Sequence, residues 1–144
     1  MKLHLTTCQA PFHMYSCASR VISMLTGEPD EQITLRVMRR RIEVNKWKPQ
    51  RAQRETQMMW DSEIRFELRK WLCKTRCIYP QRKTTVLELS HRLKRNEWAI
   101  VMVPQHIIII CNGRLYDVNN HGTRISFCNM WCNAKVYWYQ RLKL

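Results

Sequence analysis

The 144-residue chain predicts a single α+β domain, with N-terminal helices packed on a C-terminal antiparallel β-sheet. Three observations point there. Up to about residue 95, apolar residues recur at helical spacing. From Trp98 onwards they gather into short runs rich in β-branched residues, as strands require. Between two such runs stands Asn112-Gly113, a two-residue hairpin turn whose central positions both need φ > 0.

Residues 1–16 read as an irregular lead-in, since Pro11 disfavours regular structure around it. Cys17 to Leu25 reads as a helix with Ala18, Val21, Ile22 and Leu25 on one apolar face. Ser16 suits its N-cap and Gly27 its C′ position. Glu28-Pro29-Asp30 opens a second helix to about Asn45. Its Ile33, Val37, Met38 and Ile42 are expected inward, and Arg36, Arg39, Arg40 and Arg41 on the other side. Lys46 to Trp60 is polar and basic, a loop or a short helix with Pro49 as a breaker. Asp61 to Cys73 is expected as a helix burying Ile64, Leu68, Trp71 and Leu72, and Tyr79-Pro80 ends that unit. Thr85 and Glu88 fit a capping box that opens a helix to about Arg95, with Val86, Leu89 and Leu93 inward.

Then come strands Trp98–Val103, His106–Cys111 and Arg114–Asn119, broken by Pro104 and the Asn-Gly turn. Ile125–Cys128 and Lys135–Arg141 supply two more, and Gly122 closes the hairpin region. Ile107 to Ile110 suits a strand buried on both faces. No internal repeat and no domain linker is visible, so residues 1–144 read as one domain carrying a basic helical insertion at roughly 36–80.

Composition narrows the class. Hydrophobic residues make up 45% of the chain, and only three glycines and five prolines are present, which excludes a disordered or low-complexity protein. No stretch is long and apolar enough to span a bilayer, so no membrane partner is expected. Met1-Lys2 is followed by too short an apolar run for a secretory signal. The seven cysteines are therefore expected as reduced thiols in a cytoplasm rather than as a disulfide framework. Net charge is +14, and eighteen of the 25 Lys and Arg fall between Arg36 and Arg95. An acidic partner is thus expected there, an acidic protein or a nucleic acid, with Arg39, Arg40, Arg41, Lys46, Lys48 and Arg51 as contact residues. Trp47, Trp60, Phe66 and Trp71 are interleaved with these charges and offer either core packing or base stacking.

The hairpin also carries chemistry. With Asn112-Gly113 as its loop, positions summing to 225 face each other. His106 then lies opposite Asn119, and Asp117 lies diagonal to it on the same face. An imidazole beside an acid or amide is a device for proton transfer, and the acid or amide fixes the ring. Cys17, in the first turn of its helix, faces the dipole and free N–H groups that favour a thiolate. Thiol, imidazole and orienting group are what acyl transfer through a thioester needs. Cys73, Cys77, Cys128 and Cys132 leave a structural zinc site open as an alternative, the first two on one helix face; otherwise no cofactor is expected.

Two stretches resemble the papain-like cysteine peptidases. They are closest to the small, divergent kind found in bacteriophages and in the leader-peptidase domains of bacteriocin exporters. The first is CQAPFHMYSCASRVISMLTGEP and the second TTVLELSHRLKRNEWAIVMVPQHIIIICNGRLYDVNNHG. In that family a glutamine precedes a cysteine that opens a helix, and a histidine opens a strand before a glycine turn and an aromatic-Asp pair. The resemblance implies Cys17 as nucleophile, His106 as general base and acid, and Asp117 as orienting group, with Asn119 the alternative favoured by the register. It implies Gln9 as oxyanion-hole donor, although Gln9 stands eight residues before Cys17, further than the family's usual spacing. It further implies a phage-encoded peptidase or isopeptidase acting on a host or phage polypeptide. The runner-up is a protein of the same scaffold without turnover, holding an acidic partner on its basic face.

Overall fold

A computed structural model describes residues 17–55, 59–74, 76–117, 124–125 and 131–143. These fall into two compact units, residues 17–69 and 70–143. The composition is α+β, with helices before strands in chain order.

The first unit is helical. α1 (Cys17–Thr26) packs on α2 (Asp30–Glu43) and on α4 (Asp61–Glu67). The periodic face of α1 is buried, and so are Ser19, Arg20, Ser23 and Met24 between those positions. Gly27 ends the helix at φ 79°, donating its N–H to the Ser23 carbonyl at 2.8 Å. α2 begins after Pro29 with Asp30 and Glu31 in its first turn and Arg40 and Arg41 in its last, which complements the helix dipole at both ends. Pro49 does not break the chain here. It stands at the first position of the short helix α3 (Pro49–Arg54), where a missing N–H costs nothing.

Three expectations for this unit are corrected. Arg41 does not lie on the outer side of α2. It is 1% exposed, and its guanidinium grips Glu63 through Nε–Oε2 at 2.7 Å and Nη2–Oε1 at 2.9 Å. Its Nη1 donates to the Glu55 carbonyl at 2.9 Å. A long side chain on the polar flank can turn inward when a carboxylate waits there. Met38 and Ile42 are only half-buried, because that flank of α2 is shared with the arginines. The helix from Asp61 also stops at Glu67, six residues short of Cys73.

The second unit holds α5 (Val86–Arg92) and a five-stranded sheet: β1 (Trp98–Val103), β2 (His106–Cys111), β3 (Arg114–Tyr116), β4 (Arg124–Ile125) and β5 (Trp138–Leu142). The spatial order is β4-β3-β2-β1-β5, antiparallel throughout. Thr85 caps α5, its hydroxyl accepting the Glu88 N–H at 3.2 Å. Pro104-Gln105 is a second tight turn rather than a simple break, with Val103 paired to His106 and Gln105 at φ 55°. Asn112 and Gly113 both take positive φ, 51° and 68°, as their hairpin demands.

Period-two alternation puts Ala99, Val101, Val103, Ile108, Ile110 and Leu115 on one face of the sheet, packed with Val86, Leu89 and Leu93 of α5. The opposite face is also buried: Ile100, Ile107, Ile109 and Trp138 are each at most 1% exposed. The isoleucine run is thus buried on both sides, as its composition suggests. Of the strand expected over 125–128, only Ile125 lies in a described strand, and residues 126–130 are outside the described residues. The last strand is displaced, running from Trp138 to Leu142, while Lys135 makes an isolated bridge to Thr85. Among the described residues no helix is long and apolar enough to cross a membrane.

Candidate active site

His106 is the first residue of β2, held by the Pro104-Gln105 turn. It precedes Ile108 by two positions and therefore shares the face covered by α5. The register of β2 with β3 pairs Ile109 with Tyr116, so Asp117 follows opposite Ile108 on that same face. Both side chains are buried, His106 at 6% and Asp117 at 2% exposure. Their contact is direct: His106 Nε2 lies 2.7 Å from Asp117 Oδ1.

A third residue completes the arrangement. Trp131 donates its indole N–H to Asp117 Oδ2 at 2.7 Å and stacks on the His106 ring, with centroids 4.5 Å apart and planes 16° from parallel. The start of α5 delivers it. The Val86 and Leu87 N–H groups, which have no partner within the helix, donate to the carbonyls of Ala134 and Cys132 at 3.0 and 3.1 Å. That anchors the 131–136 segment across the helix start and presses Trp131 on the apolar cluster.

Each carboxylate oxygen thus accepts a donor from among the described residues, which is how a buried acid is tolerated. With Asp117 accepting at Nε2, neutral His106 carries its proton on that nitrogen. The stacked indole limits rotation of the imidazole and shields the His–Asp bond from water.

Cys17, a free thiol, opens α1 in the first unit and is half-buried. His106, Asp117 and Trp131 belong to the second. Gln9 and Asn119 lie outside the described residues. The structure joins His106 and Asp117, both named from the sequence, with Trp131, which the sequence reading does not name: it is fourteen residues beyond Asp117.

No protein-family model, curated protein or solved structure matches the chain.

The other expected sites fare differently. For zinc, Cys73 does not sit on a helix with Cys77. Its N–H donates to the Arg141 carbonyl at 2.9 Å, and Ile78 pairs with Tyr139, so this segment runs along β5 instead. Cys132 is buried, and Cys128 lies outside the described residues. Among the described residues no three His, Cys, Asp or Glu side chains gather as a metal site.

For the acidic partner, Arg39, Lys46 and Lys48 are exposed. Arg40 instead lies over the Phe66 ring at 3.2 Å, with Arg69 at 4.1 Å from the same ring. Arg51 pairs with Glu55 and stands 3.9 Å over Trp47, which Arg41 also approaches at 4.8 Å. Two of the aromatics offered for base stacking are thus occupied by the chain's own guanidinium groups.

Proposed function

We propose that the chain is a papain-like cysteine peptidase whose nucleophile is Cys17 and whose proton-transfer group is His106, oriented by Asp117. The observation that carries the reading is the buried His106–Asp117 pair covered by Trp131. An isolated structural histidine needs only one hydrogen bond. This one has a carboxylate at Nε2 and an indole on its face, which together define both tautomer and ring plane. Cys17, at the first position of a ten-residue helix, supports the same reading.

In this reaction the Cys17 thiolate attacks a peptide or isopeptide carbonyl carbon. The C–N bond breaks, the amine leaves with a proton from the His106 imidazolium, and a thioester remains. Water then gives a proton to His106 and its oxygen to the acyl carbon. The carboxylic acid leaves and the thiolate returns. Asp117 stabilises the imidazolium in both halves. Gln9 would supply an oxyanion donor beside the Cys17 backbone N–H, as the resemblance implies. A polypeptide of host or phage origin in a host cytoplasm is the proposed substrate, and the chemistry calls on no cofactor.

The reading requires the thiol and the imidazole to share a proton. The test is alkylation of Cys17 by iodoacetamide against pH, followed on the Cys17 peptide by mass spectrometry, in the wild type and in His106→Ala. The expected result is fast alkylation of the wild type at acidic pH, lost in His106→Ala. A profile like that of an ordinary thiol, near pH 8.5 and indifferent to His106, overturns it.

A further inference from the structure

The positive charge is not where its density along the chain suggests. Residues 70–144 carry thirteen Lys and Arg against three acids, whereas residues 1–69 carry twelve against eight. All three acids of the second unit are committed. Asp117 faces His106 and Trp131, Glu88 pairs with Arg92 at 3.9 Å, and Glu97 takes both Arg141 at 3.3 Å and the Lys94 N–H at 3.1 Å.

Within this cationic unit is a concavity of about 560 Å³, lined by Arg95, Asn96, Asn112, Arg114 and Tyr116. It sits at the Asn112-Gly113 end of β2, the opposite end of that strand from His106. Two tight turns build it. Arg95-Asn96 leads from α5 into β1, and Asn112 takes the left-handed conformation of the hairpin turn. Arg114 and Tyr116 alternate onto one face of β3, the face opposite Leu115. Among the described residues no carboxylate lines the pocket.

We propose that this pocket binds single-stranded nucleic acid, seating one nucleotide. Its volume suits a nucleotide-sized ligand. The two guanidinium groups match phosphate oxygens in fork geometry, one for each phosphate flanking the seated nucleotide. The Tyr116 ring is half-buried and offers a face for the base. The Asn96 and Asn112 amides carry both donors and acceptors, as base edges do. An acidic peptide would use the arginines but has no use for an aromatic ring and two amides lining the same pocket, which is why nucleic acid is favoured. The inference is independent of the catalytic reading, because none of these residues takes part in it.

The test is fluorescence anisotropy of a labelled oligothymidylate of about a dozen nucleotides with the full chain. It is run for the wild type, Arg95→Ala/Arg114→Ala, Tyr116→Leu, Tyr116→Phe and the charge-matched control Lys70→Ala/Lys74→Ala. Losing the base stack in Tyr116→Leu is expected to weaken binding roughly five- to a hundredfold, while Tyr116→Phe, which keeps the ring, stays within about twofold. The double arginine variant is expected to lower the slope of log affinity against log salt by about 1.4, as loss of two phosphate contacts requires. Three results overturn the proposal. One is a control pair that loses as much as the arginine pair. Another is a thymidine monophosphate that binds as tightly as the oligomer. The third is polyglutamate displacing the oligomer at equal charge while Tyr116→Leu changes nothing.

Discussion

Asp117 Oδ1 lies 2.7 Å from His106 Nε2, although the two residues are not cross-strand partners but diagonal ones. A directly opposed pair would stand side by side along the hydrogen-bonding direction. The diagonal lets a short carboxylate reach the outer ring nitrogen and leaves its second oxygen for Trp131. Asp117→Ala is therefore expected to strand the buried His106 N–H and the half-buried Trp131 N–H and to destabilise the protein by about 2–5 kcal/mol. Asp117→Asn, which keeps an acceptor for the ring, is expected to lose less. Urea unfolding of the three proteins measures the order, and the rate of Cys17 alkylation is expected to follow it.

Trp131→Phe separates the two roles of the indole. The ring stack on His106 survives, while the N–H donated to Asp117 is lost. The expected cost is about 1–3 kcal/mol in unfolding free energy, the value of a hydrogen bond to a buried charged group. Equal stability of Trp131→Phe and the wild type would mean that this bond contributes nothing.

Arg41 and Glu63 make a bidentate ion pair inside the first unit, 1% and 11% exposed. Arg41→Met alone leaves the Glu63 carboxylate facing an apolar side chain and is expected to cost about 3–5 kcal/mol. Arg41→Met/Glu63→Leu removes both charges and is expected to recover most of that loss. A double variant no more stable than the single one would contradict this account. Thermal unfolding of the wild type and both variants decides it.

Burial pushes the Cys111 thiol up to about 11, against a weaker opposing pull from Arg114. The unfolded chain loses this proton at an ordinary thiol pH, so between there and about pH 11 the unfolded state binds fewer protons. Cys111 therefore makes the fold less stable as pH rises through that window and has no such effect below it. Cys111→Ala is expected to be less stable than the wild type at pH 7 but to lose less stability on going to pH 10. Unfolding midpoints at the two pH values measure the difference.

The hairpin was legible because its signals are local. A run of β-branched residues admits few alternatives to a buried strand. An Asn-Gly pair dictates both turn and register, and the register then places His106 and Asp117 on one face without further information. The caps were legible for the same reason: Gly27 and Thr85 act within a few residues of themselves. The helix expected from Asp61 to Cys73 failed because periodicity cannot tell a helical face from a segment that leaves the helix and runs beside a strand. Backbone bonds from β5 at Cys73 and Ile78 decide that, and they come from more than sixty residues away.

The amino-acid sequence by itself determined the α+β class, the order of elements, the hairpin register and the candidacy of Cys17, His106 and Asp117. Each rests on spacing or on the conformational range of one or two residues. Tertiary structure alone decided that Trp131 covers the histidine, that Arg41 turns inward to Glu63, and that the stretch from residue 70 on, which holds most of the net charge, forms a unit of its own. Those outcomes depend on which distant groups meet, and a buried carboxylate or ring selects its partners through desolvation, which acts only once the chain has folded.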